Sequence, residues 1–280
     1  MKVDIKNKMH TLRIELVLII LSCFFLLPLF WMITTSFKTA GQITQFKEII
    51  PFPLSLRSYI AGFSSSPFIV YIINTTRIGV LCVVGTLFSC SLVAFGFAKF
   101  KAKGKNILFI ILLSTMMVPQ TVTLIPSYML YSKLGWINTI FPLVAPSFFA
   151  GSAFNIFLLR QFFSSLPNDL AEAAHIDGCS WIQIFYKIYI PNTIPALLVV
   201  TINQLVFVWN DYMAPLIYLG KPSGFTIALG LNMFKAEAGS AMDSGPLMAM
   251  SSISILPLLI LYISFQKYFV EGLATSGLKD

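Results

Sequence analysis

Six long stretches of this sequence contain no aspartate, glutamate, lysine or arginine. A helix must supply about 20 apolar residues to cross the hydrocarbon core of a bilayer, which is about 30 Å thick. Each stretch reaches this length, and a helix satisfies its own backbone hydrogen bonds in lipid. We therefore predict an all-α, polytopic membrane protein with six transmembrane helices, one for each of the charge-free stretches 16–37, 78–98, 106–132, 134–159, 188–220 and 244–266.

The composition excludes several classes of protein. Only 11% of the 280 residues are charged and 57% are hydrophobic, whereas an ordinary soluble domain is about one quarter charged. The four cysteines show no C-x-x-C spacing and the two histidines are far apart, so no metal site is predicted. The two Gly-Lys pairs, Gly104-Lys105 and Gly220-Lys221, lack the rest of a phosphate-binding loop. We expect a non-catalytic chain that binds no cofactor.

The excess of positive charge predicts orientation rather than a nucleic-acid partner. Cytoplasmic loops of membrane proteins are enriched in lysine and arginine. Placing both termini in the cytoplasm assigns about twice as many of these residues to the inside as to the outside. The run of Lys99, Lys101, Lys103 and Lys105 is the most specific part of this signal. Arg77 would then lie near the outer end of a helix over 68–98, where its long side chain can reach the headgroups.

Prolines within the apolar runs predict kinked or broken helices. Pro28 lies in the first run, Pro119 and Pro126 in the third, and Pro142 and Pro146 in the fourth. Membrane bundles tolerate such breaks where neighbouring helices or water satisfy the freed backbone groups. The first run is longer than a typical signal-peptide core and no cleavage site follows it, so it is interpreted as an uncleaved span.

The loop between the fourth and fifth runs predicts a short helix with defined ends. Pro167 and Asn168 suit its first turn, and acidic side chains there interact favourably with the positive end of the helix dipole. Gly178 suits the left-handed conformation that ends a helix. Small alanine side chains at its centre would allow a partner to approach closely. A second helix over about 180–190 leads into the fifth run.

A spaced set of residues runs through this loop: Glu172, Ala173, Ala174, Gly178, Ile188, Ile190 and Pro191. Their spacing resembles the EAA motif of the membrane permeases of ABC importers, E-A-A-x3-G-x9-I-x-L-P. The one departure is Ile190 in place of leucine, which conserves volume.

The resemblance implies a coupling helix from Asp169 to Gly178 that docks in a cleft of a separate ATPase subunit. Ala173 and Ala174 would fit that cleft, and Glu172 would pair or hydrogen-bond with the ATPase. Asp177 would do the same or cap the helix. ATP and Mg²⁺ would be used by that partner. The implied division is an N-terminal part, 1–67, with the first helix and first outer loop, and a transmembrane domain, 68–280, with the coupling loop 160–191.

Two further segments resemble the second permease of maltose-type carbohydrate importers. They are residues 207–216, which include the sequence Trp209-Asn210-Asp211, and the tail 265–279. The resemblance covers essentially the whole chain and implies the type I ABC importer permease fold in a bacterial cell (inner) membrane. The implied partners are a second, homologous permease, an ABC ATPase dimer, an extracytoplasmic solute-binding protein, membrane lipid and a sugar substrate.

The fifth run contains a polar stripe that is compatible with a sugar path. Asn203 and Asn210 are seven residues apart, as are Gln204 and Asp211, so each pair shares a helix face. Intramembrane polar groups usually face a bundle interior or water. Sugars require hydrogen-bonding amides and aromatic faces, and the predicted pathway set is Asn203, Gln204, Trp209, Asn210, Asp211 and Tyr212. The alternative is that these residues hold helices together or shape the outer gate, with the sugar contacts in the partner permease.

Two other functions are weighed against a sugar permease. A permease of the same architecture for another solute is disfavoured by the Trp209-Asn210-Asp211 segment and the tail. A self-sufficient secondary transporter or channel is disfavoured because no internal repeats or paired buried acids provide an ion-coupling site.

Overall fold

A computed structural model describes residues 2–45, 49–238 and 244–277, and every regular element in this part of the chain is helical. The all-α prediction is therefore confirmed. The last two residues of the predicted tail motif, 278 and 279, lie outside the described residues. The helices are α1 (Lys2–Ser36), α2 (Ala40–Gln45), α3 (Arg57–Ser65), α4 (Phe68–Lys99), α5 (Lys105–Ser114), α6 (Gln120–Lys133), α7 (Phe141–Phe148), α8 (Ala153–Ser165), α9 (Asp169–Ile176), α10 (Trp181–Ile184), a π-helical turn (Phe185–Tyr189), α11 (Ile190–Asn192), α12 (Ile194–Asn210), α13 (Met213–Tyr218), α14 (Ile227–Ala238) and α15 (Gly245–Gly277).

The number of possible spans agrees with the prediction. Among the described residues, four helical segments are long and apolar enough to cross a membrane, and two bent helix pairs raise the number to six if each pair is one span. The segments are Thr11–Ser36, Phe68–Lys99, Phe141–Ser165 and Gly245–Gln266, and the pairs are Lys105–Met117 with Gln120–Lys133 and Trp181–Asn192 with Ile194–Asn210.

The helices of the fourth and fifth spans do not coincide with the full charge-free stretches. The fourth begins at Phe141 rather than at residue 134, because Gly135 and Asn138 take left-handed conformations (φ 69° and 63°) that form turns. The fifth does not extend to residue 220, because the helix ends at Asn210 and the backbone of Asp211 is extended. Absence of charge predicted the apolar character of these segments but not where their helices begin and end.

The third and fifth spans are sharply bent. The bend in the third was predicted from its prolines. The third bends by 97° between residues 117 and 120, where Pro119 has no N–H to continue the helix. The fifth bends by 80° at Thr193, between Pro191 and Pro195.

The fourth span is interrupted between α7 and α8. Side chains of α4 donate hydrogen bonds to backbone carbonyls of α7 beside this interruption. The N–H of Gly151 bonds the carbonyl of Pro146 (3.1 Å) instead of that of Ser147. The hydroxyl of Ser89 donates to the Ser147 carbonyl (2.7 Å), and the Cys82 thiol donates to the Leu143 carbonyl (3.3 Å). Buried backbone groups rarely remain unpaired, so these small polar side chains stabilise the interruption.

Gly151 lies at the break between α7 and α8, so we predict that Gly151→Ala destabilises the protein. Gly96→Ala should not. An alanine Cβ at residue 151 would lie 2.5 Å from the carbonyl oxygen of Pro146, whereas a Cβ at residue 96 meets nothing within 4 Å. Overpacking of this kind costs about 1–3 kcal/mol. We expect a lower thermal midpoint for purified Gly151→Ala protein in detergent. A midpoint equal to that of Gly96→Ala would contradict the close approach.

The chain forms two compact units, 1–68 with 231–256 and 69–230 with 257–280. Within the first unit, the hydroxyls of Ser36 and Tyr59 are 2.8 Å apart, and Lys38 Nζ lies 4.4 Å from the centre of the Trp31 ring. The second unit holds the long helix α4 and the elements that the next section describes. The functional division at residue 67 stays a prediction, as does the interfacial role of Arg77, whose side chain is exposed on α4.

Candidate coupling loop and substrate cavity

The short helix predicted in the coupling loop is α9, from Asp169 to Ile176. Two acidic residues, Asp169 and Glu172, lie in its first turn, where they complement the helix dipole. Gly178 has a φ of +82° just beyond the last turn, which only glycine adopts without strain. The N–H of Cys179 then bonds the Ala174 carbonyl (2.9 Å) and closes the helix end.

The alanines of α9 face in two directions. Ala171 and Ala174 are buried and belong to the main hydrophobic core of the second unit. Ala173 and Glu172 are exposed. The structure therefore leaves Glu172 and Ala173 accessible to another protein and covers Ala174 with residues of this chain. The docking roles of the predicted set stay predictions, with Asp177 and Gly178 also exposed.

Sequence reasoning did not single out the exposed apolar side chains of α9. Ile176 is 86% exposed and Leu170 is also exposed. Ile176 lies three and four residues after Ala173 and Glu172, so the three share one helix face. This spacing was the signal that could have identified Ile176. The accessible face of α9 thus combines an acidic group with a large apolar one.

Lys99 joins the coupling loop to the end of α4. Its Nζ donates to the carbonyl of Leu166 and to Oδ1 of Asn168, each at 2.9 Å. The same ammonium group lies 5.0 Å from the centre of the Tyr189 ring, within the range of a cation–π interaction. One side chain therefore contacts the residues just before α9 and the π-helical turn after it.

An aromatic cluster around Phe95 reinforces this connection. Phe95 on α4 is 4% exposed, and its ring centre lies 5.0 Å from Tyr189, 5.2 Å from Phe185 and 6.0 Å from Phe163. Such distances suit edge-to-face and offset aromatic pairs. A displacement of the coupling loop must therefore move the end of α4 or break this packing.

A cavity of about 610 Å³ lies among α4, α6, α7, α8, α12 and α13 of the second unit. This volume is within the range of small-molecule sites. Four of its lining residues, Gln120, Thr123, Ser127 and Tyr131, come from one face of α6. Their spacing of three, four and four residues was an available signal that sequence reasoning missed. Polar side chains from other elements include Thr86, Ser147, Ser152, Asn155 and Thr226.

The predicted pathway residues divide between two environments. Asn203, Gln204 and Asp211 line the cavity, whereas Trp209, Asn210 and Tyr212 do not. Asn210 is exposed, and its Nδ2 donates to the Val206 carbonyl (2.8 Å). The predicted stripe thus continues along α12, but only part of it meets the cavity.

Asp211 is the only aspartate, glutamate, lysine, arginine or histidine among the described residues that line the cavity. Its Oδ1 accepts a hydrogen bond from the backbone N–H of Ala214 (3.2 Å), within the first turn of α13. This bond fixes the carboxylate at the junction of α12 and α13. Asn155, 3% exposed, also lines the cavity, and its Oδ1 has no partner within the described chain.

Comparison with known proteins identifies the family. The family model described as "Binding-protein-dependent transport system inner membrane component" matches residues 90–275. The chain is 32% identical over 274 residues to the arabinooligosaccharides transport system permease protein AraQ of Bacillus subtilis, covering 96% of each chain. It is 31% identical over 270 residues to the trehalose/maltose transport system permease protein MalG of Thermococcus litoralis, again covering 96% of each.

A solved structure supports the same assignment. A chain from a bacterial ABC transporter involved in the import of the acidic polysaccharide alginate superposes with a TM-score of 0.81 at 25% identity. The match covers 94% of this chain and 98% of that one. The predicted ABC importer permease fold is confirmed. The protein thus belongs to the inner-membrane components of binding-protein-dependent transport systems and is a multi-pass permease subunit of an ABC importer.

Proposed function

We propose that this chain is one of two different permeases in an ATP-driven carbohydrate importer and that it catalyses no reaction itself. The observation that carries the proposal is the connection between the coupling loop, which contains the exposed helix α9, and α4, which lines the cavity. Lys99 and Phe95 of α4 contact residues on both sides of α9. The carbohydrate substrate is supported by the transport systems for which AraQ and MalG are named.

In this proposal, α9 docks on one subunit of an ABC ATPase dimer, which binds the ATP and Mg²⁺. Glu172 and Ala173 contact the ATPase, and Ile176 supplies apolar contact area. The buried Ala171 and Ala174 hold α9 on its own chain, so the ATPase moves the helix together with the core beneath it. Both termini and the coupling loop lie in the cytoplasm.

Closure of the ATPase dimer then acts as a rigid-body switch. Motion of α9 passes to α4 because Lys99 and the Phe95 cluster resist separation of the two. The interruptions near residues 118, 151 and 193 allow the helices around the cavity to change their relative angles. The cavity opens alternately to an extracytoplasmic solute-binding protein and to the cytoplasm.

Purification of the tagged chain from its native membrane tests this proposal. We expect an ABC ATPase and a second permease to co-elute with it, and the complex in liposomes to import a carbohydrate only with ATP and the solute-binding protein. The chain alone should transport nothing. Uptake by the chain alone, driven by an ion gradient, would indicate a secondary transporter and contradict the proposal.

A further inference from the structure

The cavity has a charge pattern that limits which carbohydrates it can accept. Among the described residues that line it, one carboxylate, Asp211, is present and there is no lysine, arginine or histidine. A carboxylate accepts strong hydrogen bonds from hydroxyl groups but repels another carboxylate. We propose that this cavity is a substrate subsite that binds an uncharged sugar unit through Asn203 and Asp211 and disfavours uronic acids. This inference rests on the proposed function.

The two named side chains have complementary hydrogen-bonding abilities. Asn203 offers both a donor and an acceptor, whereas Asp211 in its carboxylate form only accepts. A sugar ring presents hydroxyls that donate and accept at once, so neighbouring hydroxyls can satisfy both groups. The backbone bond from Ala214 holds one carboxylate oxygen and so orients the group before a ligand arrives.

The remaining lining suits the apolar faces of a sugar ring. Tyr131 and Tyr218 both line the cavity, and their ring centres are 5.2 Å apart in an edge-to-face arrangement. Phe207 adds an aromatic side chain from α12. Aromatic faces combined with a few fixed polar groups are typical of small-molecule sites.

A uronic acid would meet unfavourable electrostatics in this cavity. Binding of a carboxylate is normally assisted by arginine or lysine, whose charge-assisted hydrogen bonds compensate its lost hydration. The described lining supplies no such cation, and Asp211 in its carboxylate form would add repulsion. The similarity in fold to a permease chain of an alginate importer therefore does not extend to the expected substrate charge.

The matched pair Asn203 and Asn210 provides the test. Both are asparagines on α12, seven residues apart, but only Asn203 lines the cavity. The complete transporter complex is purified in detergent without its solute-binding protein, so that selection by that protein does not contribute. Binding is measured by calorimetry with arabinotriose and maltotriose as neutral probes and with trigalacturonate as the acidic probe.

We expect at least one neutral probe to bind at least tenfold more tightly than trigalacturonate. Asn203→Ala should weaken that binding at least fivefold, and Asn210→Ala should change it less than twofold. Asp211→Asn should also weaken neutral binding and should narrow the difference between the neutral and acidic probes.

The inference is overturned if trigalacturonate binds as tightly as the neutral probes, if no probe binds, or if Asn203→Ala and Asp211→Asn leave neutral binding unchanged. The proposed function is judged separately, by ATP-dependent carbohydrate uptake with the solute-binding protein present. If wild-type uptake is normal and any of these three binding results is obtained, the subsite is rejected and the proposed importer function still holds.

Discussion

Gly178→Pro is expected to lower ATP-dependent uptake by the assembled transporter at least tenfold while the protein stays in the membrane. Gly178 has a φ of +82°, whereas proline requires about −65°, and its N–H bonds the His175 carbonyl (3.1 Å). Proline there must rebuild the end of α9 and remove that bond. Uptake and ATP hydrolysis are measured together in proteoliposomes, and we expect hydrolysis without matching transport.

Gly104→Pro is the matched control. Gly104 has nearly the same backbone conformation (φ +80°) and precedes α5, outside the coupling loop. A general cost of backbone strain would lower uptake equally in both variants and would contradict a specific role for the coupling loop. Glu172→Lys provides an independent check, because it reverses an exposed charge at the start of α9 without changing the backbone. It should also uncouple hydrolysis from uptake.

Phe95→Ala is expected to cause a large loss of stability. Phe95 is almost completely buried and packs against Phe163, Phe185 and Tyr189. Truncation of a buried phenylalanine to alanine costs about 3–5 kcal/mol, since the lost contacts leave a cavity. The measurement is the thermal midpoint of the purified chain in detergent, followed by size-exclusion chromatography.

Phe88→Ala on the same helix is its control. Phe88 is 62% exposed in the chain, so its truncation removes little packing and should lower the midpoint far less. Equal decreases in the thermal midpoints of the two variants would contradict a large contribution of the cluster around Phe95 to stability. Because Phe95 packs against residues on both sides of α9, the folded fraction of Phe95→Ala should also show less uptake per ATP hydrolysed than Phe88→Ala.

The sequence alone determined the membrane class, the helical fold, the ends of α9 and the family. Lack of charge over 20 or more residues, proline and glycine at the ends of a short helix, and the spacing from Glu172 to Pro191 are local properties of the chain. Local signals of this kind do not depend on which helices become neighbours. They were sufficient to predict α4 over 68–98 and the left-handed conformation of Gly178.

Only the tertiary structure decided which residues act together. Lys99 was predicted as a topology signal, but its bonds to Leu166 and Asn168 join positions 67 and 69 residues apart. Ala173 and Ala174 are equivalent in the motif, yet Ala174 packs against the core and Ala173 does not. Asn203 and Asn210 share a helix face, yet only Asn203 meets the cavity. Burial and cavity walls depend on contacts between distant segments, and periodicity within one helix does not contain that information.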